Sequence, residues 1–374
     1  MQRPVLKPLG WVPEVPSHVR GLPPYQPGKP IEETERELGI TGVIKLASNE
    51  NPLGPSPRAL DALALKLREQ HLYPDASHHG LKQALSRHLG VGVDCLVVGN
   101  GSNEIIDLLC RIFVPTTCNV VASAHSFIAY KLCALLQGCG YKEASLGAGF
   151  VPRSDHLLST VDERTRLVFL ANPGNPTGTY LKKDEVFALA AELEKKRILL
   201  CLDYAYWEYV TAQDLPDALE VWDRHPNVVV LRTFSKIYGL AGMRVGYAIA
   251  HPDVAGLLNR ARQPFNVSAL GLVAAEAALG DKAFVKRSME NNRVGLKQIA
   301  DGLTALGYGV VPSEGNFLLF DTGRPAAPLF GEFLKKGVIV RPVANYGLMQ
   351  HLRVSVGTPA ENGRFLAAAK ELKA

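Results

Sequence analysis

The alternation of short apolar runs with amphipathic stretches from about residue 57 onward predicts an α/β protein. The expected architecture is a three-layer α/β/α large domain around a mostly parallel sheet, plus a smaller α+β domain. Three observations carry this. Runs such as "CLVVG", "RLVFL" and "ILLCL" are apolar throughout rather than alternating, as strands buried on both faces are. Helical segments separate them, which is the pattern of crossover connections between parallel strands. After residue 281 the texture changes to one long helix, several strand-like runs and a terminal helix.

In chain order, residues 1–30 are rich in proline and glycine without a strong period and read as an arm lying on the rest. "PRALDALALKLREQ" spaces its apolar residues as a helix does, with Pro57 suited to a first turn. "CLVVG" (95–99) reads as a strand and "NEIIDLLCRIF" (103–113) as the helix after it. The pairing continues with "NVVAS" (119–123) and "FIAYKLCALLQ" (127–137), then "RLVFLAN" (166–172) and "KKDEVFALAAELEKK" (182–196). Three further strands follow in "ILLCLDY" (198–204), "NVVVLRTF" (227–234) and "RVGYAIA" (244–250). Beyond them come the helix "DKAFVKRSMENNRVGLKQIADGLTALG" and the strands "NFLLF", "GVIVRPV" and "HLRVSVG". The expected division is an N-terminal arm over 1–45 joining the small domain, a large domain over 46–275 and a small C-terminal domain over 276–374.

A formal charge of +5 on 374 residues, with basic residues scattered, gives no case for a nucleic-acid partner and leaves small anionic substrates open. The six cysteines show no CxxC pair and sit mostly in apolar surroundings, so buried free thiols in a reducing compartment are expected. The start of the chain lacks the apolar run of a signal peptide and no stretch reaches membrane-spanning length, so the expected location is cytoplasmic, without membrane association.

Ligands of open α/β sheets bind at the carboxyl ends of the strands. Here those ends read "GNGSNE", "HSF", "NPGNPTG", Asp203 with Tyr206, and Ser235 with Lys236. A lysine of lowered pKa forms a Schiff base with a carbonyl compound. Ser235 and Arg244 suit an anion beside it, and "GNGSNE" supplies backbone N–H groups at a helix start. An aldehyde carrying a phosphate satisfies both, which points to pyridoxal 5'-phosphate. Its pyridine nitrogen needs an acidic partner, a role Asp203 can fill. Phe127 suits stacking on the ring, and Asn175 and Tyr206 suit its phenolic oxygen. Singly, each feature has a plainer reading: a solvated lysine, an aspartate capping a turn, a turn-rich loop. Their joint order along one α/β pattern favours the cofactor.

The segments "LASNENPLGPSP", "YPD", "GNGSNEII", "ANPGNPTG", "DYAY", "TFSKIYGLAGMRVGY" and "LRVSVG" resemble those of fold-type-I pyridoxal-phosphate aminotransferases. "PYQPGKP", "RQPFNVSAL" and "GVIVRPV" resemble, more narrowly, the histidinol-phosphate aminotransferase family. The resemblance runs from about residue 22 to the end. It implies Lys236 as the Schiff-base lysine and proton shuttle, Asp203 on the pyridine nitrogen, Asn175 and Tyr206 on the phenolic oxygen, and Phe127 on the ring. Gly101, Ser102 and Asn103 would cradle the phosphate with Thr233, Ser235 and Arg244. Tyr73 would reach the phosphate of a second subunit, which implies a homodimer with shared active sites. Arg353 and Arg341 would hold substrate anions, with Asn49 and Tyr25 lining the same pocket.

The chain departs from the family in having Tyr204 where a glutamate is usual, and His78 and His79 after the Tyr73 motif. The two histidines are expected to be solvated on a loop, and no metal site is expected. The implied reaction moves an amino group between L-histidinol phosphate and 2-oxoglutarate. An aromatic amino-acid aminotransferase, and a decarboxylase or lyase of the same fold acting on a phosphothreonine-type substrate, are the alternatives. A non-enzymatic regulator of this fold is a further one, although the arm is short for a DNA-binding segment.

Overall fold

The computed structural model describes residues 14–22 and 28–373. A seven-stranded sheet occupies the centre. Across it the strands run Leu96–Asn100, Val245–Ile249, Val228–Thr233, Leu199–Asp203, Thr165–Ala171, Asn119–Ser123 and Gly140–Ala144. All are parallel except Val245–Ile249, which is antiparallel to both neighbours. The inner strands are buried end to end because a hydrophobic cluster covers each face. One holds Val98, Val168, Leu202 and Val230; the other holds Val97, Phe169, Cys201 and Val229. Successive residues serve opposite clusters, so no polar position interrupts the runs.

A four-stranded antiparallel sheet stands apart, in the order Arg341–Pro342, His351–Ser355, Phe317–Asp321 and Gly309–Val311. Its core is a separate cluster around Phe320, Phe333 and Phe365, reached by Ile299 and Leu303 of the long helix Lys282–Ala305. Early in the chain, Ile44–Lys45 pairs in parallel with Val338–Ile339.

Three differences from the sequence reading have physical causes. "GVIVRPV" is not one strand: Val338–Ile339 joins Ile44–Lys45, and Arg341–Pro342 turns to pair with Leu352–Arg353. The helix Ala269–Leu279 carries no amphipathic signal because it is buried on several sides, at Gly271, Leu272, Ala274, Ala275 and Ala278. The edge strand Gly140–Ala144 shows no apolar run because only Ala144 in it is fully buried. Among the described residues no helix is long and apolar enough to cross a membrane.

Candidate active site

Register brings the predicted residues together. Asp203 ends its strand opposite Leu231 and beside Ala171, Thr233 ends the next, and Asn100 ends the strand across the reversed one. These ends open into a cleft of about 300 Å³, whose far wall comes from Arg341, Tyr346 and Arg353.

At one end of the cleft the backbone is shaped for an anion. The helix Gly101–Phe113 starts at the end of its strand, with Gly101 at φ +70°. A Cβ at Gly101 would lie 2.5 Å from Arg244 Nη2, and one at Gly246 would lie 2.4 Å from the Ser102 nitrogen. Only glycine permits that approach. Arg244 is itself left-handed, at φ 56°; its guanidinium donates to the Ala241 carbonyl at 3.0 Å and to Ser235 Oγ at 3.4 Å. Thr233 Oγ1 accepts from the Ser235 N–H at 3.1 Å. A helix N-terminus, two hydroxyls and a guanidinium thus converge on one hollow, the donor set that suits a phosphate.

Deeper in, Asp203 is only 5% exposed. Its Oδ2 accepts from the Tyr130 hydroxyl at 2.7 Å and its Oδ1 from the Ala205 N–H at 3.2 Å. Burial raises its pKa, opposed by those two bonds and by the charge of Lys236. Tyr130 stacks on Phe169 at 4.4 Å and meets Phe127 edge-on, so one helix turn places the cleft's aromatic wall and the carboxylate's donor together.

Lys236 extends across from Asp203, its Nζ donating to the Ser48 carbonyl at 3.3 Å and lying 5.7 Å from the centre of the Tyr206 ring. Desolvation by the cleft walls pulls its pKa down to about 8, helped by Arg353 and Arg244 and opposed by Glu50 and Asp203. A lysine so placed loses its proton near neutrality and becomes nucleophilic. The Tyr206 hydroxyl accepts from Asn49 Nδ2 at 3.0 Å, and burial pushes it up to about 12. Arg353 donates to Asn175 Oδ1 and, at 2.6 Å, to the Ala47 carbonyl, so its guanidinium is fixed before any substrate arrives.

The cleft therefore gathers Ser102, Asn103, Phe127, Asn175, Asp203, Tyr206, Thr233, Ser235, Lys236 and Arg244, together with Asn49, Arg341 and Arg353. Gly101 lies just behind it, under Arg244. Tyr73 is not brought in: it is 83% exposed and stacks on Phe265 at 4.7 Å. Tyr25 lies outside the described residues.

The expectation for His78 is corrected. It is 1% exposed, held left-handed at φ 56° as the residue before the helix His79–Leu89. Burial, with Arg262 next, lowers its pKa to about 4. Tyr204 is fully buried, donating to the Pro216 carbonyl at 3.2 Å, and does not line the cleft. Its neighbour Asp203 takes the cleft side of the strand, so the unusual tyrosine lies away from the chemistry. Sequence reasoning missed Tyr130, Glu50 and Tyr346. Only Tyr130 left a signal, three residues after Phe127 on a helix and so on the same face.

The hollow, the lysine and the buried carboxylate make complementary demands on one guest, which must offer a phosphate, a carbonyl and a basic ring nitrogen. The residues present fit pyridoxal phosphate on each count, and the glycine cradle at 101 leaves room for its phosphate. That fit, at the carboxyl ends of this sheet, defines a pyridoxal-phosphate-dependent enzyme of fold type I. The chain belongs to the aminotransferase class I and II family, whose model matches residues 41–368.

Similar proteins include histidinol-phosphate aminotransferase 2 of Methylococcus capsulatus, 49% identical, with 94% of this chain and 95% of that protein covered. The histidinol-phosphate aminotransferase of an Anaeromyxobacter species is 50% identical, with coverages of 96% and 98%. The crystal structure of the Sinorhizobium meliloti histidinol-phosphate aminotransferase in complex with pyridoxal-5'-phosphate superposes with a TM-score of 0.89. It is 30% identical, covering 97% of this chain and 98% of that one.

Proposed function

We propose that the chain transfers an amino group between L-histidinol phosphate and 2-oxoglutarate. The observation that carries the reading is the pair Arg341 and Arg353 in a single cleft with Lys236, supported by near-full-length relatives of that name. One substrate is a phosphate ester and the other a dicarboxylate, so a two-arginine wall serves both in turn.

Pyridoxal phosphate, when bound, supplies a protonated ring that draws off the electron pair left on the substrate's Cα. The chain's residues do the rest. Backbone N–H groups of Ser102 and Asn103, with Ser235, Thr233 and Arg244, would hold the phosphate. Asp203, whose ionised form Tyr130 and Ala205 stabilise against burial, would hold the proton on the pyridine nitrogen. Asn175 and Tyr206 would address the phenolic oxygen, and Phe127 would cover the ring. Lys236 Nζ, with its pKa lowered to about 8, would take the proton from substrate Cα and deliver it to the cofactor's C4′. Arg353, fixed by Asn175 and Ala47, orients the substrate anion so that the Cα–H faces that amine.

The same reading assigns Tyr73 to the phosphate site of a second copy. In support, Tyr73 is exposed among Leu65, Leu67 and Leu72, which are 57% exposed or more, an apolar surface suited to a homodimer. Free thiols at all six cysteines suit a cytoplasmic setting.

The test is to mix the cofactor-loaded protein with histidinol phosphate, phenylalanine, tyrosine and phosphothreonine. Histidinol phosphate is expected to convert the cofactor's absorbance to the amine form most efficiently, and 2-oxoglutarate to restore it. A higher kcat/KM for phenylalanine, or carbon dioxide release without amino transfer, overturns the assignment.

A further inference from the structure

The cleft's two aromatic side chains on the large-sheet side, Phe127 and Tyr206, are taken up by the cofactor in the reading above. On the opposite wall stand Arg341 and, five residues along the same connection, Tyr346. Tyr346 closes the short turn Ala344–Tyr346, and Gly347 follows at φ 82°, a conformation that favours glycine. Its phenol lies close enough to that of Tyr206 to contribute to raising the latter's pKa.

The backbone of that turn is held by a contact from the loop after Asn119–Ser123. His125, left-handed at φ 56°, donates from Nδ1 to the Tyr346 carbonyl, and a Cβ on Gly347 would lie 3.5 Å from the imidazole. Phe150 meets the His125 ring edge-on at 6.0 Å and His351 at 5.3 Å. Thr179, in the loop after Asn175, fixes the Phe150 carbonyl at 2.7 Å. His125 stands two residues before Phe127, so one loop places the aromatic surface on both sides of the cleft.

We infer that Tyr346 is the residue that reads the ring of the amino donor, and that His125 is the positioning residue that sets it. The inference rests on the proposed use of histidinol phosphate and deepens it. A donor that carries both an anion and a five-membered ring needs an aromatic surface beside a cation, and Arg341 with Tyr346 supplies that combination from one strand and the turn after it. The acceptor, 2-oxoglutarate, has anions and no ring. The arginines serve both half-reactions, whereas Tyr346 serves the donor alone.

The experiment compares loaded wild type with Tyr346→Leu, Tyr346→Phe and His125→Ala, measuring kcat and KM for histidinol phosphate and for 2-oxoglutarate. Loss of the ring in Tyr346→Leu is expected to raise KM for histidinol phosphate about tenfold with kcat little changed, the signature of lost binding common to ground and transition state. KM for 2-oxoglutarate should stay within about twofold. Tyr346→Phe keeps the ring and should stay near wild type. His125→Ala should shift the donor's KM in the same direction by a smaller factor, with cofactor content unchanged. Equal rises in both KM values, or no rise for the donor in either Tyr346→Leu or His125→Ala, overturn the inference while leaving the proposed function standing. A wild type that does not turn over histidinol phosphate overturns both.

Discussion

Tyr130→Phe removes one oxygen from the site and nothing else, which makes its consequence calculable. The hydroxyl donates to Asp203 Oδ2 at 2.7 Å inside the protein, a hydrogen bond to a charged acceptor worth about 1.5–3 kcal/mol. The phenyl ring keeps its stack on Phe169 at 4.4 Å and its edge contact with Phe127, so no cavity term enters. About 2 kcal/mol is therefore withdrawn from the ionised form of Asp203, which moves its pKa further up. Burial already raises that pKa and the Tyr130 bond opposes the rise, so both shifts have the same sign once the hydroxyl is gone.

A carboxyl with a raised folded-state pKa contributes stability that is complete below its ordinary value and is lost as pH rises through the folded value. The cofactor-free variant should match wild type at a pH low enough to protonate Asp203 in both. As pH rises and the carboxyl ionises it should fall behind, by about 2 kcal/mol at most, read by urea unfolding at a series of pH values. Cofactor affinity, which needs the carboxylate, should drop roughly 30-fold at neutral pH in a fluorescence titration. A stability gap that does not change with pH, or an unchanged cofactor Kd, would refute the reasoning: the hydroxyl would then not be what keeps Asp203 charged.

Borohydride reduction of the loaded wild type should leave the pyridoxyl label on the peptide containing Lys236, and a label on another lysine removes it from its assigned role. Because the folded-state pKa of Lys236 is lowered to about 8, its charge costs stability below that pH, and the cost is relieved as pH rises toward the ordinary lysine value. Cofactor-free Lys236→Met should accordingly be more stable than wild type below pH 8, with the difference closing above it. Gly101→Ala puts a Cβ 2.5 Å from Arg244 Nη2 at a left-handed position. The strain, about 1–3 kcal/mol, together with the displaced guanidinium should lower cofactor retention on dialysis against phosphate. Retention equal to wild type would show that the cradle does not need the glycine.

The buried strands and the residues at their ends were legible in the sequence because both depend on local circumstances. A strand covered on two faces must be apolar at every position, and a polar residue just past it must have a reason to be there, so Asp203, Ser235 and Lys236 stood out. The reversal of Val245–Ile249 was not legible, since burial sets a strand's composition without regard to its direction. The burial of His78 was equally silent, because its enclosure comes from Arg262 and other residues far along the chain. Partnerships were the main thing that only the tertiary structure decided. Tyr130 and Asp203 are 73 residues apart, and His125 and Tyr346 are 221 apart. Periodicity and propensity report what surrounds a residue on its own element, whereas Tyr130 reaches Asp203 only once its helix packs on the sheet, and His125 reaches Tyr346 only once the two cores meet.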